Sequence, residues 1–393
     1  MLSAPEVIKA LNAAWDRIQT EDSSVADLMA GYWRALARYL DLSSAEIGAR
    51  LAENASPGAL PTGEHDGSNG CIPFPQTFAH HREAREWAAD QLRGVSTLAV
   101  DGSQIRPTKD YSIPIGVVQV GWFLNHHLPD LPYEKGVRTE VLSAEELRGS
   151  GGVDDFISSS LVDLRRFEME AEQCARAMRD HAGEKLLVFF DGSLVVSFVE
   201  PMPERLRASY VRAVLSLLAA SEETGVPVVG YLDTSFARDL CGLLASLWPM
   251  ADSSPISDAA LINGKLKWGD RTPVYHCRRA GILQQYLDPE KGDHRQGVCF
   301  AYLQAASDRA PARLELPRWV FESGQSDWVF DVVRAEIIAG AAGYPYPIEA
   351  ADAVAVLTME DRERFYGILQ GFARDHGMPL SYAAKARSKR TRR

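Results

Sequence analysis

Cysteine is scarce and badly placed for cross-linking: five residues in a chain of 393. Cys71, Cys174, Cys241, Cys277 and Cys299 are scattered, odd in number and without a CxxC pair. That argues against a disulfide framework and against a zinc ribbon. His276, Cys277, His294 and Cys299 can be drawn as a zinc set, but their spacing is not diagnostic. No run of eighteen apolar residues exists, and the opening MLSAPEVIKALNAAWDRIQ has neither a basic n-region nor a cleavable apolar h-region. A cytosolic protein is expected. A GxxxxGK[ST] loop is also missing, so ATP hydrolysis by this chain is not expected and any motor would be a separate ATPase. Basic residues are in deficit, 42 Lys and Arg against 53 Asp and Glu, for a net charge of -11.

What is present is ordinary for a large soluble protein: 46% apolar residues, enough for a sizeable core in one elaborated domain or in two or three. The charge is unevenly spread. From His376 onward, HGMPLSYAAKARSKRTRR carries six Lys or Arg and no acid, and without them the body stands at -17. Such a tail is either a solvated terminus or an arm that grips a polyanion.

Periodicity sets out the elements. Pro5 to Leu42 reads as one or two helices, and Asn54 to Gln76, rich in Gly, Pro, Asn and Ser, as a long exposed loop and domain boundary. A helix at His80 to Leu92 feeds the strand of STLAVDGSQIRP (Ser96 to Pro107). Two β-rich runs, Ser112 to His127 and Val137 to Leu147, suggest an antiparallel meander. After the Gly-Ser break at Arg148 to Phe156 come a helix from about Ser159 to Arg179, the strand of KLLVFFDGSLVV (Lys185 to Val196), a helix at Arg205 to Gly225 and a strand at Val226 to Thr234. GVCFAYLQAA and ARLELPRWVF add strands between about Lys265 and Val320; a DNA channel and a dimer contact are both open as their role.

Twice, then, an apolar strand ends in Asp-Gly-Ser. Turn chemistry explains one such site; the order of elements explains two. Strand with Asp, two strands, helix, strand with Asp, helix, strand is the connectivity of an RNase H-like α/β fold with a mixed sheet. There the two acid-bearing strands lie side by side, so Asp101 and Asp191 would meet at one sheet end, with Gly-Ser turning the backbone away. Carboxylates so close raise each other's pKa, and hard divalent cations relieve the repulsion. Two such ions about 4 Å apart can activate water and stabilise the leaving oxygen of a phosphodiester. Hydrolysis of nucleic acid is the expected chemistry. The helix LVDLRRFEMEAEQCARAM (Leu161 to Met178) offers a third acid, Glu168 or Glu170. The two lie roughly 200° apart on opposite edges of its apolar stripe, and helix geometry does not choose between them.

WAADQLRGVSTLAVDGSQI, RRFEMEAEQ, LLVFFDGSLV and GYPYPIEAADA (Gly343 to Ala353) together resemble the NurA nucleases, in order, from about His80 to Asp375. The resemblance implies a manganese-dependent (or magnesium-dependent) DNA nuclease with an RNase H-like core. It also implies a homodimer that partners a hexameric HerA-type translocase in DNA end resection or, in some bacteria, in phage defence. Carried over by motif, Asp101 and Asp191 match the strand aspartates, Glu170 best matches the helix glutamate with Glu168 as substitute, and Tyr344 matches the C-terminal tyrosine. Eight residues on, where archaeal members carry histidine, this chain has Asp352. An aspartate there suits an all-oxygen site. The implied metal ligands are thus Asp101, Glu170, Asp191 and Asp352.

Blander readings stand beside these. Tyr344 and Tyr346 could belong to a packed turn, Asp352 to a solvated helix face, and Asp233 in GYLDTS could cap a helix. A sugar-kinase-like ATPase would need a second Gly-rich phosphate loop and a HAD-type phosphatase a DxD, and neither is seen. A non-catalytic translocase adaptor is the reading if the acids do not converge. The expected organisation is N-terminal helices and loop over 1–75, a nuclease domain over 76–375 with its core in about 96–265 and 325–375, and a basic tail over 376–393.

Overall fold

A computed structural model describes residues 2–108, 111–148, 159–252, 255–286, 297–340, 343–378 and 380, apart from the side chains of 16–23. The expected basic tail therefore lies almost wholly outside the described residues, as does His294. In chain order the strands are β1 (Gly58–Pro61), β2 (Ser96–Ile105), β3 (Gly116–Asn125), β4 (Glu134–Leu142), β5 (Leu186–Asp191), β6 (Val228–Leu232), β7 (Tyr275–Arg278), β8 (Val298–Leu303) and β9 (Ala312–Pro317). Two compact units result. One comprises Thr77–Tyr231, Gln285–Gln296 and Trp319–Arg393, the other Met1–Gln76, Leu232–Gln284 and Gly297–Arg318.

In the first unit the strand order is β6-β5-β2-β3-β4. β2 and β5 run parallel, β5 and β6 run parallel, and β2-β3-β4 form the expected antiparallel meander. This is the RNase H-like connectivity. Leu186 to Phe190 of β5 are all buried, because helices cover both faces of a parallel strand. β4, at the edge, is mostly exposed and carries Glu134, Lys135, Arg138 and Glu140, charges that discourage edge-to-edge pairing. It starts and ends earlier than its β-rich sequence suggested, since Ser143 and Glu146 form a capping box that opens a short helix at Ala144–Leu147.

Two glycines let helices approach the sheet from opposite sides. A Cβ on Gly121 of β3 would lie 2.7 Å from the backbone nitrogen of Ala355, so the helix Tyr346–Ala355 packs directly on that face. A Cβ on Gly102 of β2 would lie 2.3 Å from Glu170 Oε1, on the face covered by the helix Ser159–Asp180. Asp101 pairs with Gly121 and shares its face, while Gly102 faces the other way.

The second unit contains the four antiparallel strands β1-β7-β8-β9 and the long helix Ala4–Leu40. Its interior is charged. Arg313 is buried between Asp239 at 2.9 Å and Glu315 at 2.7 Å, Arg279 pairs with the same Asp239, and the Tyr302 hydroxyl donates to Asp258 at 3.1 Å. A buried network of this kind fixes one arrangement of neighbours, since breaking any pair strands a charge. β8 and β9, whose role was open, are buried along their whole length within this unit.

Two sequence expectations need correction here. Asn54 to Gln76 is not a long exposed loop: Gly58–Pro61 pairs with β7, and Glu64 clamps the buried Arg271 at 2.7 Å. Its polar residues have distant partners, such as Thr62 with the Val274 carbonyl at 2.8 Å. Residues 232–265, assigned to the nuclease core, instead fall in the same unit as the first 76 residues. In the drawn zinc set, His276 Nδ1 and Cys299 Sγ meet at 3.3 Å, but Cys277 faces the other side of β7, toward Asp239.

Gly121→Ala should lower stability by about 1–3 kcal/mol, because the added methyl meets helix backbone that cannot rotate away. Gly367→Ala, in the helix Met359–Asp375 with open space around it, should be neutral or stabilising by up to about 1 kcal/mol. Denaturant unfolding of the two variants checks the contrast; equal midpoints would refute the close packing at Gly121.

Candidate active site

Val100 of β2 pairs with Phe190 of β5, so Asp101 and Asp191, the next residues, lie side by side on one face. Adjacent strands are about 4.8 Å apart, which brings the two carboxylates into one electrostatic neighbourhood. β5 stops at Asp191 while β2 continues to Ile105, leaving an opening beside Gly102. Gly192 turns the chain away there at φ 151°, a backbone conformation that suits glycine.

The helix Ser159–Asp180 reaches this opening from the opposite face. Glu170 is buried, 6% exposed, and its carboxylate extends over the bare backbone of Gly102 toward Asp101 and Asp191. Glu168 points elsewhere and joins a surface network in which Arg165 bridges it to Glu140 and Glu172. The ambiguity left by helix geometry is thus resolved by the sheet. Tertiary packing brings Glu170, and not Glu168, to the aspartates.

From the other face come the C-terminal residues. The Tyr344 hydroxyl donates to Asp191 Oδ1 at 2.8 Å. Asp352, exposed on the helix Tyr346–Ala355, lies close enough for its charge to act on both Asp101 and Asp191. All five sequence-derived residues, Asp101, Glu170, Asp191, Tyr344 and Asp352, therefore gather at one end of the sheet. Asp233 forms a 3.7 Å ion pair with Arg309 in the other unit. Tyr346 packs edge-on against Phe123, with ring centroids 5.6 Å apart.

Three further residues belong to the constellation. Arg166, one turn before Glu170, donates from Nη1 to Glu170 Oε1 at 2.7 Å and to the Gly102 carbonyl at 3.3 Å. Tyr231 pairs with Asp191 in the strand register, donates to the Gly343 carbonyl at 3.3 Å and meets the Tyr344 ring edge-on, holding that tyrosine in place. Gly121 gives the Asp352 helix its close seat. RRFEME did contain the i,i+4 spacing of Arg166 and Glu170, a signal for that pair; Tyr231 left no local one.

The electrostatics follow from crowding. Loss of water at the packed strand ends pushes the Asp101 carboxyl up to about 6; the Gly102 amide opposes this, and Asp191 and Asp352 add to it. Burial raises Glu170 to about 7, with Arg166 opposing and Asp101 and Asp191 reinforcing. Asp191 is also raised by desolvation, against the hydrogen bond from Tyr344. Arg166 is the cation that enters all three balances. Among the described residues no group of three or more His, Cys, Asp or Glu side chains is placed so that it could hold a metal ion as it stands. The donor set is nonetheless all carboxylate oxygen and short of positive charge, which is the chemistry that suits Mg²⁺ or Mn²⁺.

No helix among the described residues is long and apolar enough to cross a membrane. A search of curated protein sequences finds no match. Among solved structures, the chain is similar to the NurA nuclease from Sulfolobus solfataricus, at 12% identity over 75% of this chain and 92% of that one, TM-score 0.48. It is also similar to a NurA crystallised with manganese, at 11% identity over 71% and 89%, TM-score 0.41. A third similarity is to the catalytic domain of human endonuclease V, at 13% identity over 77% and 92%, TM-score 0.33. The family model described as the NurA domain matches residues 95–357, the span that holds every residue of the acid cluster. The chain belongs to the NurA family.

Proposed function

We propose that this chain is a metal-dependent DNA nuclease that hydrolyses phosphodiester bonds at the ends of β2 and β5. The observation that carries the reading is the convergence of Asp101, Asp191, Glu170 and Asp352 on one sheet end, where burial, reinforced by the neighbouring carboxylates, holds three carboxyls above their ordinary pKa. Those four would hold Mn²⁺ or Mg²⁺. When bound, such ions supply an activated water and charge neutralisation at the phosphate. Tyr344 fixes Asp191 in orientation, and Tyr231 fixes Tyr344. Arg166, tethered by Glu170 and 31% exposed at its side chain, offers its guanidinium to a phosphate oxygen. On family grounds the nuclease acts in the cytoplasm as a homodimer beside a HerA-type hexameric ATPase, in DNA end processing or phage defence. The absence of a nucleotide-binding loop in the sequence agrees with a separate motor.

Purified protein with Mn²⁺ should cleave DNA, and Asp101→Asn or Asp191→Asn should lower the rate by a factor on the order of a thousand or more. Glu170→Gln should cost far more than Glu168→Gln, and Tyr344→Phe roughly 10–100-fold, as expected for a residue that orients a ligand. Full activity in the Asp101→Asn protein would refute this carboxylate site, and wild type that cleaves no DNA with Mn²⁺ would leave the chain as a non-catalytic adaptor for a translocase.

Stability carries a second signature. Asp101 near 6 and Glu170 near 7 retain protons in the folded state that the unfolded chain, with carboxyls near 4, has released. Their contribution is complete below pH 4 and is lost as pH rises through 7. In metal-free protein the melting temperature of Glu170→Gln, relative to wild type, should therefore climb between pH 4.5 and 8. At pH 8 Mn²⁺ should raise the melting temperature of wild type but not of Asp101→Asn/Asp191→Asn, since only a bound ion stabilises by mass action. A flat difference across pH, with no metal effect, would count against the site.

A further inference from the structure

We propose that Phe198 is a stacking platform for a base of single-stranded DNA, with Arg166 and Arg207 receiving the phosphates on either side of it. The proposal rests on the nuclease reading and adds to it the side chain on which a base of the substrate strand is seated.

Phe198 is out of place by its surroundings. In LVVSFV, Leu194, Val195, Val196 and Val199 are each at most 1% exposed, whereas Phe198 leaves 50% of its surface in solvent. The segment is not loose. The Tyr286 hydroxyl donates to the Leu194 carbonyl at 2.8 Å and accepts from the Val196 amide at 3.2 Å, and Ser197–Val199 forms a turn of 3-10 helix. The exposed ring stands on two others: Tyr210 edge-on at 5.4 Å and Phe167 at 6.3 Å. A rigid, supported ring with a free surface can take up a flat partner without losing conformational freedom of its own.

Its position points to nucleic acid as that partner. The segment leaves the sheet directly after Asp191, at the end where the carboxylates gather. Phe167, beneath the ring, follows Arg166 in sequence and lies one turn before Glu170. Tyr210, its other support, feels the charges of both Arg166 and Glu170. Arg207, one turn before Tyr210 on the helix Glu204–Thr224, donates from Nη1 to the Glu200 carbonyl at 3.4 Å, which ties a second guanidinium to the same segment. An aromatic face whose two supporting rings each neighbour a guanidinium-bearing residue suits a base flanked by phosphates, and every base has a face to offer. A duplex keeps its bases stacked inside, so the ring serves a strand already unpaired.

Fluorescence anisotropy of the full-length protein with a labelled single-stranded oligonucleotide, in EDTA, reads affinity without cleavage. Phe198→Ala and Phe198→Leu should each weaken binding about tenfold, the usual range for loss of one base stack, and Phe198→Trp should restore it to within about twofold. Leu keeps the packing against Phe167 and Tyr210, so a loss with Leu reports stacking and not folding. An oligonucleotide of abasic sites should bind wild type and Phe198→Leu equally. Unchanged affinity in Phe198→Leu, or an equal loss on abasic DNA, would overturn the proposal, as would a change in sedimentation mass alone, which would assign the ring to self-association. Wild type that cleaves with Mn²⁺ while Phe198→Leu binds normally refutes the platform only; wild type that cleaves no DNA refutes the nuclease reading itself.

Discussion

Asp101 and Asp191 end neighbouring parallel strands, in register and on one face, and Glu170 and Asp352 add their charges at the same place. Negative charges gathered this closely cannot all ionise freely unless a cation joins them. The surrounding chain is arranged around that constraint. Arg166 lends one positive charge through Glu170, Tyr344 donates a hydrogen bond to Asp191, and the Gly102 amide supports Asp101. These partners offset part of the cost of burying and crowding the carboxyls, three of which keep raised pKa values, chiefly through loss of water. A divalent ion seated among these carboxylates would offset that cost and let an anionic phosphate approach.

Close approach makes the convergence possible, and glycine makes the close approach possible. Gly121 lets the Asp352 helix lie on one face of the β2-β3 pair, and Gly102 lets Glu170 and Arg166 reach across from the other. A side chain at either position would push a charged group away from the strand ends. Sheet and helices therefore act together on the chemistry: strand register pairs the two aspartates, and backbone contact distances decide which helical residues join them.

The second unit is held differently. Its interior carries Asp239, Arg313, Glu315 and Asp258, nearly devoid of solvent contact, in one hydrogen-bonded network. Ionic interiors stabilise less than apolar ones but tolerate fewer alternatives. Segments far apart in sequence, the first 76 residues with 232–284 and 297–318, are specified to one another by such partners. Glu64 on Arg271 and Thr62 on Val274 extend the same logic to a stretch whose composition looks like an exposed loop.

Sequence alone determined the strand order of the first unit, the meander, the two Asp-Gly-Ser strand ends and the resemblance to NurA, because apolar periodicity and turn residues act over a few neighbours and leave a local record. It also placed Asp101, Asp191, Tyr344 and Asp352 as candidates. The resemblance favoured Glu170 over Glu168, but the physical reason lies in the tertiary structure: two helix positions roughly 200° apart become unequal once a sheet covers one side. Only the tertiary structure revealed Tyr231 behind Tyr344 and a half-exposed Phe198 amid buried neighbours. In the same way it joined the N-terminal residues to 232–284. Each of these depends on partners distant along the chain, and a polar or aromatic residue reads the same in sequence whether its partner is water or a strand two hundred residues away.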